Sequence, residues 1–126
     1  MITADGSIYE IALQTDGKIV AAIGDFRIVR YNTDGSLDAS FGTGGIVDLK
    51  TPEIMRGSTS NYGMTSPPLV FENLVITGAA NQEFPDRGSS GAVRAWDVLT
   101  GKLVWTFDPV PQPGQPGSET WEPGSA

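Results

Sequence analysis

Hydrophobic residues along the chain gather in short β-branched or aromatic runs. Each run is closed by glycine, asparagine or aspartate, a rhythm that predicts strands joined by tight turns. Ile8–Leu13 opens the series. Thr15-Asp16-Gly17 then turns the chain into 18–23, where Ile19, Val20, Ala21, Ala22 and Ile23 form an unbroken apolar run suited to burial on both faces. A third strand is expected over 26–31, closing at Asn32-Thr33-Asp34-Gly35, an Asp-Gly turn of the hairpin type. The glycine-rich link Phe41-Gly42-Thr43-Gly44-Gly45 leads to a short strand over 46–49. Residues 50–64 show no period and read as a surface loop. Beyond them Leu69–Phe71 and Leu74–Thr77 flank Glu72-Asn73 as a hairpin, and a loop spans 78–91. Strands follow over 92–97 and 102–107, on either side of Leu99-Thr100-Gly101.

No segment sustains an amphipathic helix over three turns, so the chain is expected to be all-β, built from antiparallel meanders. The turn motif returns as Thr15-Asp16-Gly17-Lys18, Thr33-Asp34-Gly35-Ser36 and Thr100-Gly101-Lys102, at uneven spacing. The architecture this predicts is a partial β-propeller of about two blades, each a four-stranded antiparallel meander. The first blade's elements occupy 1–49, a loop 50–64, the second blade 65–107, and a Pro/Gly-rich inter-blade loop 108–126. One blade cannot bury its own faces, so the chain is expected to be a piece of something larger or to assemble with copies of itself. Trp105, a large aromatic within a strand, is expected in the core.

Composition narrows the chemistry. The 126 residues carry 8 Lys+Arg against 15 Asp+Glu, net charge −7, and neither half holds the basic stripe that nucleic acid requires. With no Cys and no His, there is no disulfide, thiolate nucleophile, Ser-His pair or His-ligated metal; acid, base and cation chemistry falls to carboxylates, with oxygen-ligated calcium or magnesium open. Glycine (16) and proline (9) suit short strands and turns. The longest apolar stretch, 67–80, is interrupted by Glu72 and Asn73 and is too short for a transmembrane helix. Asp5 and Gly6 follow Met1 closely, with no basic or apolar region of a signal peptide. Gly42-x-Gly44-Gly45 precedes no helix and is no dinucleotide fingerprint, and Asp34 to Asp38 lacks the glycine and glutamate of an EF-hand.

The segment Ala95-Trp96-Asp97-Val98-Leu99-Thr100-Gly101-Lys102-Leu103-Val104-Trp105 resembles the blade signature of the pyrroloquinoline-quinone (PQQ) dependent alcohol and glucose dehydrogenases. Phe41-Gly42-Thr43-Gly44-Gly45-Ile46-Val47-Asp48-Leu49 resembles that family's link into the next strand, Thr65-Ser66-Pro67-Pro68-Leu69-Val70 its blade opening, and Glu119-Thr120-Trp121-Glu122 the approach to another blade. The resemblance covers about residues 41–126 and implies an eight-bladed quinoprotein propeller. In it the Asp and Thr-Gly shape a turn and the tryptophan packs between blades. Residues 1–47 also resemble the delta-60 propeller repeat, through Ala12-Leu13-Gln14-Thr15-Asp16-Gly17-Lys18-Ile19-Val20 and Arg30-Tyr31-Asn32-Thr33-Asp34-Gly35-Ser36-Leu37-Asp38-Ala39-Ser40-Phe41-Gly42. That repeat implies the same fold and no cofactor.

The quinoprotein resemblance further implies a site. Thr65 stands where a threonine hydroxyl meets a carboxylate of PQQ, and Glu83, eighteen residues on, stands where a glutamate binds calcium (Ca2+). Ala80, Asn81 and Gln82 occupy the turn whose backbone lies along the cofactor, where the methanol-oxidising branch carries smaller residues. Calcium at the quinone oxygen acts as a Lewis acid and takes carboxylate and amide oxygens. Read without the resemblance, Thr65 is a strand-start hydroxyl before Pro67, and Glu83 a solvated carboxylate beside Asp86 and Arg87. Arg94, Trp96 and Asp97 read as blade structure.

Two functions follow from these readings. One is part of a PQQ-dependent dehydrogenase acting on a small alcohol or sugar, passing electrons to a quinone or cytochrome c and working in the periplasm. The family's catalytic aspartate, amide metal ligand and stacking tryptophan belong to later blades, so this chain alone is expected to be inactive. The other is a non-catalytic propeller module for adhesion or assembly.

Overall fold

The computed structural model describes residues 8–23, 26–59, 67–79 and 88–122. They form two four-stranded antiparallel meanders. The first runs β1 (Ile8–Leu13), β2 (Ile19–Ile23), β3 (Arg27–Tyr31), β4 (Ile46–Asp48); the second runs β5 (Leu69–Phe71), β6 (Leu74–Thr77), β7 (Val93–Asp97), β8 (Leu103–Phe107). Spatial order follows chain order in both, as local turns dictate. Every expected strand forms, within a residue or two of its expected ends. The Glu72-Asn73 turn closes β5 on β6 with Phe71 opposite Leu74, and Glu72 takes a positive φ of 52°.

Register explains the burial. In the first sheet Val20, Ala22, Ile28 and Val47 share one face, while Ala21, Ile23, Val29 and Tyr31 share the other. Both sets are buried, so the apolar run in β2 is covered on both sides as its pattern requires. The first set meets Val75 and Trp96 of the second sheet in one core, joined by Phe41, Leu49, Ile54 and Val98. The sheets therefore stack face to face, as propeller blades do. At 25 cal/mol per Å2, each fully buried aliphatic side chain in this core contributes about 1.5–3 kcal/mol.

A glycine pair locks the junction at one end of the stack. Gly42 donates its amide to the Thr100 carbonyl at 2.8 Å, and a Cβ on Gly101 would sit 2.7 Å from Val47 Cγ2 and 2.8 Å from Gly42 N. Both residues have positive φ, 56° and 73°, so glycine is needed there for conformation and for space. The Phe-Gly link of the first sheet and the Thr-Gly turn of the second are thus parts of one contact.

Two expectations are corrected. The loop expected over 50–64 contains a short helix, α1 (Pro52–Met55), with Thr51 as N-cap, proline in its first turn and Ile54 buried. Thr51 Oγ1 accepts the Ile54 amide at 3.4 Å, and the helix stops at Arg56 in a left-handed conformation. Trp105 is not in the core: it is 39% exposed, and the whole of β8 is exposed. Its row, Leu69, Ile76, Ala95 and Trp105, lies on the face of the second sheet turned away from the first, and no described element packs there.

Candidate functional site

The five site residues inferred from the sequence lie outside the described residues: Thr65 within 60–66, and Ala80, Asn81, Gln82 and Glu83 within 80–87. What the structure does fix is where the flanking strands end. Leu69 at the start of β5 pairs with Ile76 near the end of β6, and Thr77 at the end of β6 pairs with Arg94 near the start of β7. The chain entering β5 and the chain linking β6 to β7 therefore attach to neighbouring strand ends on one rim. The opposite rim carries the tight turns, where Val98 donates its amide to the Asn73 carbonyl at 2.9 Å.

The first rim is built around α1. Ser90, two residues before the Ala92 that leads into β7, donates its amide to the Ile54 carbonyl at 2.7 Å, tying the end of the β6–β7 link to the helix. Arg94 lies beneath, 5% exposed, with Nη2 donating to Ser90 Oγ at 2.8 Å and Nη1 to the Ala92 carbonyl at 3.2 Å. On the same face Trp96 Nε1 donates to Thr77 Oγ1 at 3.0 Å, so the buried indole N–H is satisfied. Arg56, the C-cap of α1, reaches Asp108 after β8 in an ion pair of 2.5 Å. Between these groups runs an open cleft of about 470 Å3, with Thr51, Glu53, Arg56, Ser90, Arg94 and Asp108 on its walls.

The remaining charged clusters serve the turns. Asp97 Oδ1 accepts the amides of Leu99 (2.9 Å) and Thr100 (2.8 Å), and the Thr100 amide is the first cause of its lowered pKa. In the first sheet the buried Arg30 donates to Asp38 at 2.5 Å, Asp16 at 3.2 Å and Gln14 at 2.7 Å, and Lys18 joins Asp38 at 3.0 Å. Ser40, whose hydroxyl donates to Asp38 Oδ1 at 2.5 Å, leads the groups that hold the Asp38 carboxyl far below the usual carboxylate range. Every carboxylate oxygen in this cluster faces a protein donor, which marks it as structural. Among the described residues no three His, Cys, Asp or Glu gather where they could hold a metal ion.

Sequence reasoning assigned Arg94, Trp96 and Asp97 to blade structure, and all three are built into the second sheet. It missed α1, the Ser90 link and the Arg56–Asp108 pair. The first left a signal, Thr51-Pro52-Glu53, which combines a capping residue, an N-terminal proline and an early acid. The others join residues far apart in the chain.

Stacked four-stranded meanders with the Phe-Gly and Thr-Gly junction define a β-propeller. The particular family follows from comparison: residues 4–126 match the PQQ glucose/ethanol/alcohol dehydrogenase β-propeller domain, and the chain belongs to that family. The match includes the delta-60-like beginning, so both sheets belong to it. Among curated relatives, the quinoprotein glucose dehydrogenase of Gluconobacter oxydans (strain 621H) is 38% identical over 104 residues, covering 78% of this chain and 12% of that protein. The quinoprotein glucose dehydrogenase of Escherichia coli (strain K12) is 32% identical over 104 residues, covering 79% and 13%. Among solved structures, the quinohemoprotein alcohol dehydrogenase from Comamonas testosteroni superposes with a TM-score of 0.56 at 27% identity, over 84% of this chain and 14% of that one. The chain thus spans about an eighth of the length of these relatives. No described helix is long and apolar enough to cross a membrane.

Proposed function

We propose that this chain supplies one side of a PQQ and calcium site in a dehydrogenase that oxidises an alcohol or a sugar. The observation that carries the reading is the shared rim: the segments holding Thr65 and Glu83 attach to adjacent strand ends, at Leu69–Ile76 and Thr77–Arg94. The donor chemistry fits the group. PQQ is a flat quinone with three carboxylates that, when bound, accepts hydride from a substrate carbon. A threonine hydroxyl can donate to one carboxylate, and a glutamate oxygen suits a hard cation. In this reading Thr65 orients the cofactor, Glu83 holds calcium, and the backbone of Ala80, Asn81 and Gln82 lines the cofactor's edge. The substrate base, the remaining metal ligands and the contact with a quinone or cytochrome c acceptor belong to other parts of the propeller. Work in the periplasm is part of the same proposal.

Calorimetric titration of PQQ, with and without calcium, tests it on this chain and on the chain grafted in place of the matching segment of the Gluconobacter glucose dehydrogenase. Binding that needs calcium is expected, with Glu83→Gln abolishing the calcium-dependent binding and Thr65→Val weakening affinity at unchanged calcium dependence. Binding that is absent in both proteins, or indifferent to both substitutions, overturns the reading in favour of a non-catalytic propeller module for adhesion or assembly.

A further inference from the structure

We infer that Ser90 and Arg94 are positioning residues for the metal and cofactor side of the rim, acting through the segment that carries Glu83; the inference rests on the site proposed above. Three observations lead there. Ser90 is 1% exposed and uses both of its polar ends: its amide holds the Ile54 carbonyl at 2.7 Å, and its hydroxyl oxygen accepts Arg94 Nη2 at 2.8 Å and the Ala92 amide at 3.3 Å. Arg94 bridges Ser90 and the Ala92 carbonyl from within β7, so a buried guanidinium grips the last turn of the β6–β7 link and the strand together. Ile54, the other anchor, sits in α1, upstream of the segment that carries Thr65, and its side chain belongs to the core shared by the two sheets.

The clasp therefore fixes the foot of one candidate segment to the helix that leads into the other. A surface loop needs no such anchoring, and burying a guanidinium is costly unless each donor is met. Outer-shell groups that hydrogen-bond a metal ligand cost about 10–100-fold in metal affinity when removed, and a clasp at the foot of the ligand's segment is expected to act within that range. A blade-forming role alone would place the cost in stability and none in affinity.

The test uses the full chain and the same chain grafted into the Gluconobacter dehydrogenase, each titrated with PQQ and calcium, with unfolding midpoints measured in parallel. Ser90→Ala removes the acceptor while keeping a small buried side chain, and Arg94→Lys keeps the cation but not the two-pronged grip. Trp96→Phe is the control: it loses the bond to Thr77 on the same face of the sheet but leaves the clasp intact. Expected is a loss of calcium-dependent PQQ affinity of about 10–100-fold in Ser90→Ala and Arg94→Lys, and none in Trp96→Phe at a comparable fall in midpoint. In a Glu83→Gln background Ser90→Ala should add nothing further. Hydrogen exchange over 80–89, followed without ligand, should accelerate in Ser90→Ala while β5 to β8 stay protected. Unchanged affinity and unchanged exchange over 80–89 in both clasp variants, with Glu83→Gln still damaging, overturn the clasp and leave the site standing. Wild-type binding that ignores Glu83→Gln overturns the site, and the clasp with it.

Discussion

Among the described residues, the first sheet is buried on both faces and the second on only one. Ala21, Ile23, Val29 and Tyr31 are as buried behind the first sheet as Val20, Ala22 and Ile28 are between the sheets. Behind the second, Leu69, Phe71, Trp105 and Phe107 stand exposed on one face, Leu69 and Trp105 in the same cross-strand row. The polar parts differ in the same sense. The first sheet buries the Arg30–Asp38 pair within its own turns, with the half-buried Lys18 and the exposed Asp16 completing the network from outside. The second uses its buried arginine to hold Ser90, at the rim where the proposed site lies. The first sheet uses its buried arginine within its own turns; the second uses its buried arginine at the rim, beside the segment that leads into it.

The largest effect should come from breaking the network of the first sheet. Asp38→Ala leaves Arg30 buried without its shortest partner, and removing one member of such a pair costs about 3–5 kcal/mol. Asp97→Ala, in the more exposed turn of the second sheet, removes charge-assisted bonds to two amides and should cost about 1.5–3 kcal/mol. Chemical unfolding of the two variants measures the contrast, and equal losses would erase it. Acid tests the same point without mutation. Both carboxyls are held below their ordinary values in the folded chain, so each contributes stability that is complete above the usual carboxylate range and is lost as pH falls through that range towards the folded value. The fall in unfolding midpoint below about pH 4 should flatten more in Asp38→Asn than in Asp97→Asn.

Next in size is the internal bond of the second sheet. Trp96→Phe leaves Thr77 without its donor and removes part of a buried ring, an expected loss of about 1–3 kcal/mol by thermal unfolding. A loss below that range would mean that the ring's apolar contacts, kept by Phe, supply nearly all that the indole contributes.

The same contrast explains what could be read from sequence. Strand positions were legible because each depends on local signals: the run from Ile19 to Ile23, the Asp-Gly and Thr-Gly turns, and the two-residue link at Glu72-Asn73. Asp97 was legible because its partners lie within three residues. Burial of Arg30 was not, since in β3 it resembles Arg27 and only partners 8 to 16 residues away in the chain set the two apart. Trp105 was misplaced for a related reason: a strand sequence states that a residue is apolar, whereas its burial depends on what stacks against the sheet. Of the candidate site, the spacing from Thr65 to Glu83 was legible by resemblance. The clasp that flanks it was not, because it joins Ile54, Ser90 and Arg94 from three elements.

The smallest effect on stability should come from the open face of the second sheet, and there the comparison is at its sharpest. Phe71 and Phe107 are 59% and 63% exposed, so Phe71→Lys or Phe107→Lys removes little buried area and should shift unfolding by no more than about 0.5 kcal/mol. Val29→Lys, behind the first sheet, places a charge at a buried position and should prevent folding. Association should respond in the opposite order. A contiguous apolar face of this kind attracts other apolar faces, and lysines on it should lower concentration-dependent self-association, read by light scattering, while the fold persists. A large stability loss in Phe71→Lys would mean that the face is already covered in the folded protein, and the two sheets would then be alike.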